Sequence, residues 1–343
     1  MRELNIIYQS SEEYSFMIGV SVSSLIANAS PDIKYSVYIF QSDYTDETKE
    51  KFRNIGKINK NINYYVEFVD VSDWDEYLQK LNVKPHRDSY ATYYKLFFDR
   101  FFKDKEIDRL LFIDADSLVL GDLHELLDFD FCGTPFAMNW TEKQYERYHP
   151  RGIRTCIPAV ILFNIPVWRK MRCEERIVRH INEIGAIYGS ADQGILNVEF
   201  SGDYIQLPLR YNVYSFALHF NRKNQYRFHD ADILTKAEIE DAIDNPQIIH
   251  YARSFLYRPC EKDSIFPNKE LWWSYCNESP WKGMKEYEEG REIEFPAKIF
   301  RLMYKTKIPI NILDHMYVVC RKFFSFLLNV THPAKEKWKI GRI

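Results

Sequence analysis

Residues 110–123, LLFIDADSLVLGDL, set two aspartates one residue apart inside a run that otherwise reads as a buried strand. Apolar runs of this length belong in a sheet covered on both faces. Asp114 and Asp116 therefore fall where the strand has to end. Alternate strand residues face opposite sides, but where the chain turns out of a sheet both carboxylates can converge on one ion. Burying such charges without a cation costs several kcal/mol per ion. Two hard oxygen ligands suit Mn²⁺ or Mg²⁺, which keep positions open for substrate phosphates. The plainer alternative is that Asp114 caps a turn and Asp116 is solvated.

The flanking chain alternates strand and helix signals. LNIIYQ (4–9), KYSVYIFQ (34–41), NINYYVEFVDV (61–71) and RLLFID (109–114) read as four strands. Between them, YSFMIGVSVSSLIANA (14–29) has helical spacing, and TDETKEKFRNIG (45–56) opens on a Thr cap and ends at Gly56. SYATYYKLFFDRFF (89–102) is expected to be an aromatic helix. This order predicts βαβ units and a mostly parallel central sheet, whose ligands bind beyond the carboxyl ends of the strands. The Asp pair lies at such an end. Further strands are expected at AVILFN (159–164) and NPQIIHYA (245–252), with helices from about Pro166 and over GSADQGILNVEF (189–200). Residues 1–285 read as one domain, and 286–343 as an appended tail.

Charge is unevenly spread. From Phe295 to Ile343 ten Lys/Arg face two acids, a surplus of +8; the whole chain carries -3, so the first 294 residues carry -11. That balance does not suggest a nucleic-acid partner. A basic, aromatic tail on an acidic body suggests an anionic surface, and KIFRLMYKTK and RKFFSFLLNV mix basic and apolar residues as interfacial helices on lipid do. The alternative for the tail is an ordinary amphipathic helix packed on the body or on a partner. MYVVCRKFFSFLLNV (316–330) is split by Arg321-Lys322 and too short to span a bilayer. Cys132, Cys156, Cys173, Cys260, Cys276 and Cys320 form no CxxC and suit reduced thiols in the cytoplasm. The N-terminus MRELNIIYQS lacks the long apolar core of an export signal.

Several segments, in order, resemble the family-8 glycosyltransferases, the retaining enzymes of bacterial lipopolysaccharide and capsule assembly. LFIDADSLVLGDLHELLDFD (111–130) resembles the family's metal-binding segment, and SYATYYKLFF (89–98) its TYxRL helix, with Lys95 at the Arg position. AVILFNIPVWRK (159–170) resembles GVLLxNLxxWR, and ADQGILN (191–197) resembles DQDxLN. RYN (210–212) resembles the RxN that follows, and IIHY (248–251) the histidine of the HxxG motif. The resemblance implies an α/β fold of GT-A type, Rossmann-like with a mostly parallel sheet. It implies transfer of galactose or glucose from a UDP-hexose to a lipopolysaccharide or other glycan or glycolipid acceptor. The cofactor would be Mn²⁺ (or Mg²⁺), held by Asp114, Asp116 and His250. The nucleotide-sugar site would draw on Tyr8, Gln9, Ser11, Glu13, Lys95, Asp114, Ala115, Asp192, Arg253 and Arg258. Asp192 would hydrogen-bond donor sugar hydroxyls and Gln193 would sit at the face of the anomeric carbon. The protein would be cytoplasmic, peripheral on the inner face of the bacterial membrane.

The chain departs from the family at three places. Ser11-Glu12-Glu13-Tyr14 stands where the family has Asp-Asp-Asn, so an anionic Glu13 replaces Asn. Ile157-Pro158-Ala159 replaces Asn-Ala-Gly, and HYARSFLYRPC replaces HxxGxxKPW, with Arg253 for Gly and Arg258 near the phosphate Lys. Other readings stay open for single residues. Asp192 could simply favour a helix N-terminus, and Lys95 could snorkel from a core face rather than reach a phosphate. Trp168, Trp272, Trp273 and Trp281 read mainly as core. Two other functions also fit an Asp-x-Asp after an apolar strand. One is a haloacid-dehalogenase-type phosphohydrolase, although there the pair normally follows the first strand, with Thr or Val next rather than Ser117. The other is a non-catalytic nucleotide-sugar binder.

Overall fold

The computed structural model describes residues 1–86, 89–140, 156–184, 191–229, 234–293, 295–306 and 308–331. The expected helix start at Gly189-Ser190 and the last part of the tail, 332–343, lie outside them.

Three parallel βα units open the chain. Strands β1 (Arg2–Gln9), β2 (Ile33–Gln41) and β3 (Asn63–Asp70) alternate with helices α1 (Ser15–Ala27), α2 (Asp46–Asn54) and α3 (Ser72–Lys80). Thr45 caps α2 through its side chain, which accepts from the Thr48 amide. α1 is buried from Ser15 to Ile26. Its hydroxyls turn back on the helix, Ser23 to the Gly19 carbonyl and Ser24 to that of Ser21, so a fully covered helix tolerates them. Gly19 is where Trp281 packs; a Cβ there would lie 2.2 Å from the indole ring.

Residues 89–102 do not form one aromatic helix. They make a 3₁₀ turn at Ala91–Leu96 and a short helix α4 (Asp99–Phe102). Tyr93, Tyr94, Phe97, Phe98 and Phe102 are all buried. The backbone leaves the helical region at Phe97, with φ -118° and ψ 18°, so the segment does not run on as one helix.

β4 (Arg109–Ile113) joins β1 on the side opposite β2, giving a seven-stranded sheet of order β3-β2-β1-β4-β7-β6-β8. In it β6 is Phe136–Trp140, β7 is Cys156–Asn164 and β8 is Ile205–Gln206. The four strands from β3 to β4 run parallel, while β7 is antiparallel to both β4 and β6. After β7 come α5 (Ile165–Lys170), α6 (Cys173–Ile184) and α7 (Asp192–Glu199). Leu4, Ile6 and Tyr8 of β1 enter one core and Ile7 the other, as the two-residue period of a strand requires.

A second sheet has β10 (Ile248–His250) between β5 (Ser117–Val119) and β9 (Val213–Tyr214). Its register sets His250 opposite Ser117, one residue after Asp116. Helices α8 (Arg222–Phe228), α9 (Lys236–Asp244) and α10 (Lys269–Glu278) cover the remaining flank. The tail forms α11 (Phe295–Tyr304) and α12 (Ile310–Thr331). Both helices contact the body: Arg301 bonds the Phe255 carbonyl and Asp314 meets His219 at 3.0 Å. No described helix is long and apolar enough to cross a membrane.

Candidate active site

Chain order reverses between β1 and β4, since β2 and β3 lie to one side of β1 and β4 to the other. Ligands of open α/β sheets bind at such a switch point, outside the carboxyl ends of the strands. A cleft of about 390 Å³ opens there. Gln9, Ser10 and Ser11 line it from the end of β1, and Asp114, Ala115 and Asp116 from the end of β4. His250 lines it from the end of β10, Arg253 and Arg258 from the segment that follows, and Glu289 and Arg291, past residue 285, also line it.

Main-chain bonds fix the two aspartates. The Asp114 amide donates to the Ala159 carbonyl at 2.8 Å, prolonging the β4–β7 ladder, and the Asp116 carbonyl accepts from the Tyr251 amide at 2.7 Å. Single ligand atoms of Asp114, Asp116 and His250 all lie within 4.8 Å of one another. His250 Nε2 is 3.1 Å from Asp116 Oδ1 and 3.9 Å from Asp114 Oδ2. Two carboxylates and an imidazole at this spacing form a donor set of the kind divalent transition metals accept, so the residues fit the cation that the sequence called for.

The environments of the two carboxylates differ. Loss of solvent in the cleft pushes the Asp114 pKa up; Lys95 opposes this and the Asp116 charge adds to it. The same loss acts on Asp116, but Arg258 and His250 outweigh it and hold its carboxyl well below the usual range. Arg258 Nε donates to Asp116 Oδ2 at 2.7 Å, and Nη2 is ion-paired with the same oxygen at 2.7 Å. Burial lowers the His250 pKa, yet the charge and hydrogen bond of Asp116 leave it raised.

The other expected residues fall into three groups. Gln9, Ser11, Ala115, Arg253 and Arg258 line the cleft. Tyr8 and Glu13 turn elsewhere: the Tyr8 hydroxyl lies 3.0 Å from Ser21 inside the core, and exposed Glu13 bonds the Tyr287 hydroxyl. Lys95, Asp192 and Gln193 stand behind the lining. Lys95 Nζ meets Asp192 Oδ2 at 3.0 Å and the Pro158 carbonyl at 3.3 Å, while Gln193 Nε2 donates to the Cys156 carbonyl at 2.9 Å.

Sequence reasoning missed Thr92, Glu261 and Glu289. Thr92 donates to Asp192 Oδ1 at 2.8 Å and lines the cleft. Its signal was present, because Thr92 and Lys95 are three apart and a 3₁₀ turn puts such residues on one face. Glu289 receives a hydrogen bond from the Tyr14 hydroxyl at 3.2 Å. Nothing local marks it, since 275 residues separate the two.

Comparison with known proteins identifies the family and the fold. The model of glycosyl transferase family 8 matches residues 5–255. The chain is 24% identical to the lipopolysaccharide 1,2-glucosyltransferase of Escherichia coli K12, over 94% of this chain and 91% of that one. It is 23% identical to the lipopolysaccharide 1,3-galactosyltransferase of Salmonella typhimurium, over 81% and 79%. Its fold is similar to that of the galactosyltransferase LgtC solved with donor and acceptor sugar analogues, with a TM-score of 0.64 at 17% identity, covering 80% of this chain and 96% of LgtC. LgtC-like architecture is GT-A, and here the Asp pair follows the fourth strand rather than the first, unlike the phosphohydrolase alternative. With a family match running from β1 past the metal-type histidine, the chain belongs to glycosyl transferase family 8 and is a hexosyltransferase.

Proposed function

We propose that this hexosyltransferase moves galactose or glucose from a UDP-sugar to a lipopolysaccharide or related cell-surface acceptor, with retention and with Mn²⁺ or Mg²⁺ as cofactor. The observation that carries this reading is the convergence of Asp114, Asp116 and His250 on the floor of a cleft at the sheet's switch point. The names of the two lipopolysaccharide glycosyltransferase relatives support the acceptor class.

A bound divalent cation supplies Lewis-acid stabilisation of the leaving diphosphate. The chain's own residues do the rest. Arg253 and Arg258 sit beside the Asp pair, where guanidinium forks suit phosphate oxygens. Thr92 and Lys95 hold Asp192 in one orientation, which suits a carboxylate that receives sugar hydroxyls. Asp192 is ion-paired with Lys95 and stands behind the cleft lining, so it is poorly placed as a nucleophile. This favours attack by the acceptor on the face from which the diphosphate leaves over a covalent intermediate. Exposed Ile312, Met316, Val319 and Phe323 on α12 support attachment of the 286–343 tail to a lipid surface.

A thermal-shift panel of UDP-, GDP-, dTDP- and CMP-sugars, each with and without Mn²⁺, tests the reading. A ligand that binds only the folded state raises Tm by mass action. A UDP-sugar with Mn²⁺ is expected to give the largest rise. Equal Tm values across the whole panel would remove the donor assignment.

A further inference from the structure

Glu261 is 1% exposed and lies beneath the cleft. It touches both arginines that depart from the family pattern. Arg253 Nε donates to its two carboxylate oxygens at 3.1 and 2.9 Å. On the other side, the Arg258 amide reaches Oε1 at 3.3 Å and Arg258 Nη1 at 3.5 Å. A tight turn makes this possible, because the Glu261 amide donates back to the Arg258 carbonyl at 3.0 Å. Backbone bonds on either side of Glu261 then lock the turn to Tyr287, from its amide to the Cys260 carbonyl at 2.7 Å and from the Lys262 amide to its carbonyl at 2.8 Å.

The consequence is geometric. Arg253 is held by its Nε, and its Nη1 and Nη2 make no hydrogen bond to a described residue. Arg258 is held from two edges, Nε and Nη2 by Asp116 and Nη1 by Glu261 at 3.5 Å, with Glu289 at 3.8 Å from the same nitrogen. A free arginine samples many rotamers, and ordering each long side chain on binding costs free energy. A buried carboxylate that fixes two guanidinium groups before the ligand arrives removes that cost. A buried carboxylate is itself stable only when paired, and two arginines provide the pairing.

We infer that Glu261 is a positioning residue that aims Arg253 and Arg258 at the donor's diphosphate. This rests on the diphosphate reading above. Glu261 itself stays behind the arginines and contacts no ligand. In this chain an arginine pair on one carboxylate stands where the HxxGxxKPW pattern has glycine and lysine.

Calorimetric titration of UDP and of uridine, both in saturating Mn²⁺, provides the test. Glu261→Gln keeps the side chain's shape and one acceptor oxygen but loses the charge that holds the pair. Its UDP affinity is expected to fall about tenfold, the low end of what loss of an orienting outer partner costs at a metal site, while uridine affinity stays the same. Arg253→Ala, which leaves Glu261 paired to Arg258, is expected to show the same split. UDP affinity in Glu261→Gln equal to wild type would overturn the inference alone. A parallel loss of UDP and uridine would also overturn it, because that is what general disorder of the cleft produces. No UDP uptake by the wild-type chain would overturn the diphosphate reading and this inference with it.

Discussion

Lys95 Nζ stands 3.0 Å from the Asp192 carboxylate, and both side chains are buried, at 3% and 7% exposed. Lys95 also lies over the Phe112 ring, 4.2 Å from its centroid, so neither charge has water to fall back on. Breaking a buried pair by removing one partner costs about 3–5 kcal/mol, because a bare charge is left behind. Lys95→Met should therefore destabilise the fold by about that amount. Lys95→Met combined with Asp192→Asn should recover most of it, since no buried charge is then left unpaired. Chemical denaturation of the three variants decides the matter. A single variant as stable as the double would mean that the pair is solvated.

The metal reading makes a prediction that does not depend on turnover. Mn²⁺ titration followed by paramagnetic resonance should find one site in the wild-type chain. Asp114→Asn and His250→Gln should each weaken it by more than the roughly 10–100-fold that loss of an outer partner costs, because each removes a ligand atom from the set within 4.8 Å. Manganese bound equally well by both variants would place the ion elsewhere.

Much of this was legible in the sequence, for local reasons. β1 and β2 announced themselves as apolar runs because both their faces are covered, and the Thr45 cap of α2 was readable because a cap is a short-range hydrogen bond. Asp114 and Asp116 stood out because burial makes a carboxylate anomalous inside a strand. What could not be read is what sequence-distant pairing decides. His250 was named through its family motif, but the contact itself depends on pairing: it reaches Asp116 because β10 pairs with β5 in one register, and a register shifted by one would turn it to the other face. Glu289 reaches the cleft by the docking of a segment 275 residues from Tyr14. The helix expected over residues 89–102 breaks at Phe97, where the backbone leaves the helical region, and the aromatic composition of the segment carries no signal for that break.

Acid should weaken the flank formed by α6 and α7 through Glu199. Burial pushes this carboxyl up, but hydrogen bonds and charge from His180 and Arg176 outweigh it, so the folded group titrates below its ordinary value of 4.5. His180 Nδ1 and Arg176 Nε are each 3.0 Å from its oxygens. A group whose pKa is depressed on folding contributes stability that is complete above the unfolded value and lost as pH falls through the folded one. The Tm gap between wild type and Glu199→Gln should therefore be widest above pH 4.5 and close as the medium becomes more acid. A gap that is constant from neutral pH down through that range would show that the carboxylate's charge does not matter.

The last prediction concerns α12, whose two faces differ in what they touch. Leu313, Asp314 and Val318 are buried against the body. Ile312, Met316, Val319 and Phe323 repeat at helical spacing on the outer side and are exposed, Val319 to 49% and Phe323 to 56%. Such a row in water is unfavourable unless something covers it, and a surplus of basic residues in the same tail matches an anionic bilayer surface. Deleting 295–343 outright would also strip Arg301 and Leu313 from the body, so loss of membrane binding would be confused with damage to the fold. Substitution on the outer row avoids this. Ile312→Glu with Val319→Glu and Phe323→Glu should leave the thermal transition near wild type and abolish flotation with vesicles that contain anionic lipid. Wild-type flotation should weaken as salt is raised, because the basic share of the attraction is screened over about 10 Å at 0.1 M ionic strength. Flotation of the triple variant at the wild-type level would mean that the row is covered by something other than lipid.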